Sequence, residues 1–198
     1  MNEEFLEEEE KPAKAEPKQD NVGLKLLENR VILVTGPVND KMHESVSARL
    51  LFLQQKDANA EITVYVNSPG GSADSGMGIY DTMKFIGTPI RTICSGLCAS
   101  AAVLIYLGST AGRRFTLPNS RFLLHQPSTQ AFGQASDMEI TALEILKTRK
   151  KYARIIAQEC GLNADKVESD CNRDFWLGGD DAVKYGLANK VVKSLTEI

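Results

Sequence analysis

Ser95-Gly96-Leu97-Cys98-Ala99-Ser100-Ala101-Ala102 sets the Ser100 hydroxyl among small side chains, directly ahead of the apolar run Val103-Leu104-Ile105-Tyr106-Leu107. Small neighbours let a substrate backbone come close to Ser100. An apolar run opening at the serine predicts a buried helix whose N-terminus lies at the hydroxyl. Backbone N–H groups at such an end point outward and favour negative charge. A tetrahedral intermediate of acyl transfer needs that kind of donor. A serine among small residues more often serves tight helix packing, so this stretch takes its meaning from two others.

Glu61-Ile62-Thr63-Val64-Tyr65-Val66-Asn67 reads as a buried strand from its β-branched and aromatic content. It runs into Ser68-Pro69-Gly70-Gly71-Ser72, where a proline and two glycines break the strand and allow positive φ. Bare backbone N–H groups there make Gly71 a candidate oxyanion donor beside Ala101. Ser120-Arg121-Phe122-Leu123-Leu124-His125-Gln126-Pro127 reads as a strand ending at His125. Histidine is the commonest general base of acyl transfer, and the chain has only two. His43 sits in a polar helix opening and reads as solvated, whereas His125 follows an apolar run and precedes a proline. By residues alone, Asp174 is not distinguished from Asp170, Asp180 or Asp181.

In order along the chain stand Asn67-Ser68-Pro69-Gly70-Gly71, Gly96-x-x-Ala99-Ser100, Leu117-Pro118-Asn119-Ser120-Arg121, His125-Gln126-Pro127, Gly133-Gln134-Ala135-x-Asp137, Glu144-Ile145-Leu146-Lys147 and Arg173-Asp174. Together they resemble the proteolytic subunit of the Clp protease, from about Leu26 to the C-terminus. The resemblance implies an α/β fold, the ClpP/crotonase-like spiral of β-β-α units with a projecting long handle helix. It implies a Ser-His-Asp triad of Ser100 as nucleophile, His125 as base and Asp174 as the carboxylate that orients His125. Ser72-Ala73-Asp74 and Gln126-Pro127-Ser128 resemble the strands that bind a peptide by backbone pairing. Tyr65 and Phe85 match positions that receive the loop of an ATP-driven AAA+ unfoldase, against the plainer reading of core aromatics.

The implied assembly is two stacked rings of seven subunits, acting on unfolded polypeptide, with no cofactor of its own because the unfoldase uses the ATP. Four departures qualify it. The N-terminal segment Asp20–Leu27 is short and lacks a Tyr-rich helix; Thr129-Gln130 replaces a Gly pair; Ala101-Ala102 replaces Met-Gly; and Asn172 replaces an acidic residue before Arg173. The expected function is a serine endopeptidase. The changes at Thr129, Gln130 and Asn172, which the resemblance places with Arg173 at the ring interface, favour a mixed assembly and so give the alternative of a weakly active or structural subunit of a mixed ring with a second paralogue, although the intact triad argues against a dead subunit. A crotonase-type acyl-CoA enzyme is the remote alternative.

Composition agrees with one enzyme domain. The chain has 198 residues and a net charge of −3, and no basic patch interleaved with aromatics points to nucleic acid. No apolar run is long enough to span a bilayer, and the Glu-rich start has the wrong charge for a signal or transit peptide, so a cytoplasmic protein is expected. Cys94, Cys98, Cys160 and Cys171 lack CxxC spacing and read as plain core or surface thiols, with no metal site.

Residues 1–21, rich in Glu, Lys, Pro and Ala, read as a disordered tail ahead of a peptidase domain at 22–198. Strands are expected at Arg30–Thr35, Ile62–Asn67, Ile90–Cys94, Arg114–Leu117 and Phe122–His125. Helices are expected at Asp40–Lys56, Ser75–Phe85 and Ala99–Leu107, with short ones near Ala164–Val167 and Asp181–Lys184. The clearest helix, about 136–160, has Ser136-x-x-Glu139 as a capping box, apolar Ile140, Leu143, Leu146 and Ile155, and Gly161 as its stop. At 1.5 Å per residue it is a rod of roughly 35–40 Å, the handle helix of the resemblance. The basic cluster Lys147–Lys151 reads as its solvated face.

Overall fold

The structure, a computed structural model, describes residues 22–130 and 132–198; the expected tail at 1–21 lies outside them. Along the chain run α1 (Val22–Glu28), β1 (Val31–Thr35), α2 (Asp40–Lys56), β2 (Ile62–Ser68), α3 (Ala73–Phe85), β3 (Ile90–Ala99), α4 (Ala101–Leu107) and β4 (Arg114–Thr116). They continue with β5 (Arg121–Leu124), α5 (Ala135–Cys160), α6 (Ala164–Asp170), β6 (Phe175–Gly178), α7 (Gly179–Tyr185), β7 (Lys190–Val191) and a 3₁₀ turn at Leu195–Glu197. Strands joined through helices pair in parallel, and the sheet has the parallel order β1-β2-β3-β4-β7. β5 lies parallel to the far half of β3, and β6 returns antiparallel to β5. This is the α/β spiral expected from the sequence.

β3 decides where the site falls. It was expected to end at Cys94 but runs to Ala99, with Ile90–Cys94 and Leu97–Ala99 serving different partners. Between them Gly96 takes φ 131°, and a Cβ there would lie 2.7 Å from Asn67 Oδ1. Side chains satisfy the backbone groups that this bend frees. Asn67 Oδ1 accepts from Leu97 N at 3.0 Å, while Ser120 Oγ accepts from Gly96 N at 3.0 Å and donates to Cys94 O at 2.9 Å. The Cys94 carbonyl is buried, and leaving it without a partner would cost about 1–3 kcal/mol.

All seven residues of α4 are buried, which explains a helix apolar on every side. It packs against α3 and α5 on one side and against β2, β3 and β5 on the other. Tyr106 satisfies its hydroxyl inside this core by donating to Phe115 O at 3.0 Å. α4 begins at Ala101 and not at Ala99, because Ala99 still belongs to the sheet.

α2 has its expected bounds, with Asn39 accepting from Met42 N at its start. His43, expected to be solvated, is half-buried with its ring against Gly78 of α3. α5 starts at Ala135 behind Gln134, with no side-chain cap, so Ser136 does not form the expected capping box. It stops at Gly161, in the left-handed region at φ 69°. Its C-terminal half buries Tyr152, Ala153, Ile156 and Ala157. An ionic clasp fixes that end: Glu159 accepts from Tyr80 Oη at 2.8 Å and pairs with Lys84 at 2.9 Å and Arg114 at 3.3 Å. Its N-terminal half leaves Met138, Ile140, Leu143 and Leu146 exposed. The basic cluster is largely solvated, with Lys147 paired to Glu144 and Arg149 to Glu168. Burial pushes the Cys160 thiol up to about 11 and the Cys171 thiol to about 12.

Candidate active site

Three strand ends meet at one edge of the sheet. β3 and β5 are parallel with Ala99 opposite Leu123, so Ser100 and His125 both follow strands that end at the same edge. Ligands of open parallel sheets bind at such carboxyl ends. β6 starts there in the opposite sense. Leu124 pairs with Phe175, so the next positions outward bring His125 opposite Asp174. His125 Nδ1 lies 3.5 Å from Asp174 Oδ1, longer than a formed hydrogen bond. The carboxylate is 64% exposed and the imidazole 32%. Gln126, two residues past β5, pins this corner: its N–H donates to Cys171 O at 2.7 Å and its Nε2 to Asn172 O at 2.9 Å.

Ser100 sits between the end of β3 and the first turn of α4 with φ 55° and ψ −124°, a backbone region that side chains rarely adopt. Strain of this kind costs about 1–3 kcal/mol and persists only where neighbours enforce it. Ser100 N donates to Leu123 O at 2.8 Å, while Ser100 O accepts from Val103 N at 2.9 Å and from Tyr152 Oη at 3.2 Å. Burial pushes the Tyr152 phenol well above its ordinary range and keeps it a neutral donor. Gly70 presses on the turn from outside: a Cβ there would lie 2.5 Å from Ala99 O and 2.7 Å from Ser100 Cβ.

Ser100, Ala101, His125, Gly71, Ser72, Ala73, Pro127 and Ser128 line one cavity of about 350 Å³. Among the described residues, neither the Gly71 nor the Ala101 N–H donates to a protein acceptor. The cavity thus gathers a hydroxyl on a strained backbone, an imidazole and two free amides, the parts an acyl-transfer site needs.

Some expected parts take other forms. Ser72-Ala73-Asp74 is not a strand: Ser72 caps α3, which begins at Ala73, while Ser72 and Ala73 line the cavity. Gln126, Pro127 and Ser128 lie outside any strand, and Gln126 turns to Asn172 instead of lining the cavity. Thr129, Gln130, Asn172 and Arg173 are exposed, and Arg173 makes no ion pair among the described residues. Tyr65 lines a separate apolar hollow of about 230 Å³ with Ile93, Leu117, Val192 and Ile198. Phe85 does not share that hollow; it is 85% exposed, so the plainer reading of a core aromatic does not hold for it. Sequence reading missed Tyr152 and Gly70. Tyr152 shows only as one apolar position in a long helix, and Gly70 stands beside Gly71 without a sign of which glycine touches the serine.

The sequence model described as Clp protease matches residues 13–195. A ClpP1 mutant from Listeria monocytogenes has a similar structure, with a TM-score of 0.81 and 34% identity over 88% of this chain and 98% of that one. Among the described residues, no helix is long and apolar enough to cross a membrane.

Proposed function

Because this chain belongs to the Clp protease family, a family of peptide-bond hydrolases, we propose that it is a serine endopeptidase with Ser100, His125 and Asp174 as its triad. The observation that carries the reading is the sheet edge, where Ser100 and His125 line one cavity and Asp174 faces the far nitrogen of the imidazole. Ser100 Oγ attacks the scissile carbonyl carbon, and its proton passes to His125 Nε2. The carbonyl electrons move onto oxygen, held by the Gly71 and Ala101 amides. The intermediate collapses, and the amine leaves with the proton from His125. Water then hydrolyses the acyl-enzyme by the same steps. Asp174 keeps the Nδ1 tautomer and stabilises the imidazolium.

The family suggests ring assemblies. In this reading unfolded polypeptide is cut inside a chamber of two stacked heptameric rings, in the cytoplasm, and an AAA+ unfoldase supplies it. The exposed Met138, Ile140, Leu143 and Leu146 suit a helix that another copy covers. Tyr65 and Phe85 would serve one docking pocket only if neighbouring copies bring them together. The exposed, unpaired Arg173 beside Asn172 favours a second form of this reading, a mixed ring whose other subunit supplies the missing carboxylate. The acyl-CoA alternative lacks such support, since no carboxylate lines the cavity among the described residues.

Labelling with a fluorophosphonate tests the chemistry. Ser100 is expected to be the modified residue, and Ser100→Ala is expected to lower peptide hydrolysis by roughly 10⁶-fold. Modification of another serine, or an active Ser100→Ala, would refute the assignment.

A further inference from the structure

One peptide unit carries both the Gly70 carbonyl and the Gly71 N–H. In a trans unit the two point in opposite directions. Gly70 O accepts from Val38 N at 2.9 Å, so the Gly71 N–H of that unit is aimed away from Val38. The next unit is held by the same residue, because Ser72 N donates to Val38 O at 2.9 Å. Gly71 has φ 148°, and a Cβ there would lie 2.2 Å from Val38 O, which leaves room for glycine alone. The direction of this amide is therefore set by Val38, two residues before Asp40.

Side chains lock the same two segments together. Ser75 is 2% exposed and donates to Asp40 Oδ1 at 2.8 Å. Its oxygen lies 3.0 Å from Ser72 Oγ, and Ser72 Oγ accepts from Ser75 N at 3.2 Å. A hydroxyl has one proton, and a carboxylate can only accept. The Ser75 hydroxyl thus stands between two acceptors, Asp40 Oδ1 and Ser72 Oγ, with the charged carboxylate at the shorter distance. Asp40 stands in the first turn of α2, and Ser72 and Ser75 start α3. Both helix starts favour a negative charge.

We propose that Asp40, acting through Ser75 and Ser72, is a positioning residue for the Gly71 amide. It holds the start of α2 against the start of α3, and so keeps Val38 in register with the two peptide units that flank Gly71. The role rests on the serine-peptidase reading above. Its effect falls on the tetrahedral intermediate, where the oxyanion meets the amide, more than on binding of the uncleaved peptide.

The test uses the full assembled chain with Asp40→Ala, Asp40→Asn and Ser75→Ala. Asp40→Ala and Ser75→Ala are each expected to lower kcat on a short peptide by about tenfold with KM within about twofold, the pattern of lost transition-state stabilisation. Affinity for a peptide aldehyde, whose carbonyl carbon bonds to Ser100 Oγ and leaves an oxyanion, should fall by the same factor. Affinity for a cleaved product peptide should hold. Asp40→Asn keeps an acceptor for Ser75 and should recover most of the loss. Unchanged kcat in both alanine variants, equal weakening of aldehyde and product, or no recovery in Asp40→Asn would overturn the role. Ser75→Ala decides if Asp40→Ala does not fold. A wild-type chain left unlabelled by the fluorophosphonate would instead refute the peptidase reading, and so separates the two failures.

Discussion

On the serine side of the cleft every strained backbone position has a partner within the chain, whereas on the histidine side the candidate ion pair stands in the open. Ser100 is bonded at its N–H and its carbonyl, and Gly71 is held by Val38 on both flanks. Asp174 is 64% exposed and 3.5 Å from His125, beside an Arg173 with no ion pair among the described residues. One wall is completed by folding. The other is an exposed strand end. α5 repeats the contrast, burying Tyr152, Ala153, Ile156 and Ala157 against its own chain while Ile140, Leu143 and Leu146 are exposed. Within the chain, hydrogen bonds fix the Ser100 and Gly71 side, while the His125–Asp174 side is exposed.

The largest expected break in this comparison is on the open wall. Asp174→Asn should lower turnover by roughly 10⁴-fold, because the imidazole is held in the wrong tautomer. An exposed side chain at a strand end contributes little to packing, so melting temperature and ring size should not change. If Asp170→Asn or Asp180→Asn proves damaging and Asp174→Asn is neutral, another carboxylate serves His125.

On the closed wall the pattern should invert. Gly71→Ala drives a Cβ into Val38 O and displaces the amide. Loss of one oxyanion donor costs about 10²–10³ in rate. Here the rate loss should come with a lower melting temperature by thermal denaturation, since the Val38 contacts also hold the fold. Loss of activity with an unchanged melting temperature would show that the two walls are equally rigid.

The smallest effect sharpens the comparison. Mixed with a second Clp proteolytic subunit, the chain should gain about tenfold in peptidase activity, equivalent to about 1.4 kcal/mol in the aligned population. Native mass spectrometry of the mixture should report rings containing both subunits. Full activity in a pure ring of this chain alone would mean that its own copies align the open wall.

Much of the spiral was legible because its strands and helices carry strong local patterns. The apolar run of α4, the β-branched β2 and the long period of α5 needed no tertiary knowledge. Ser100 and Gly71 were legible for a related reason: each stands where a turn residue abuts an apolar element. Asp174 was not legible from residues alone. The four-residue strand Phe175–Gly178 is too short to show a period of two, and only its antiparallel register with Leu124 places Asp174 opposite His125. α1 and the two-residue β7 escaped for the same reason of length.

The sequence by itself determined which segments are buried, which hydroxyl opens an apolar run and which imidazole ends one, because burial is dictated by side-chain chemistry along a few consecutive residues. Only the tertiary structure decided the rest. It extended β3 past its glycine, because Asn67 of β2 and Ser120, the residue before β5, reach in to satisfy the bend. It made Ser72 the cap of α3, and it aimed the Gly71 amide through Val38, more than thirty residues away. Such features depend on hydrogen bonds between segments remote in the chain, and no local pattern records where a distant partner will stand.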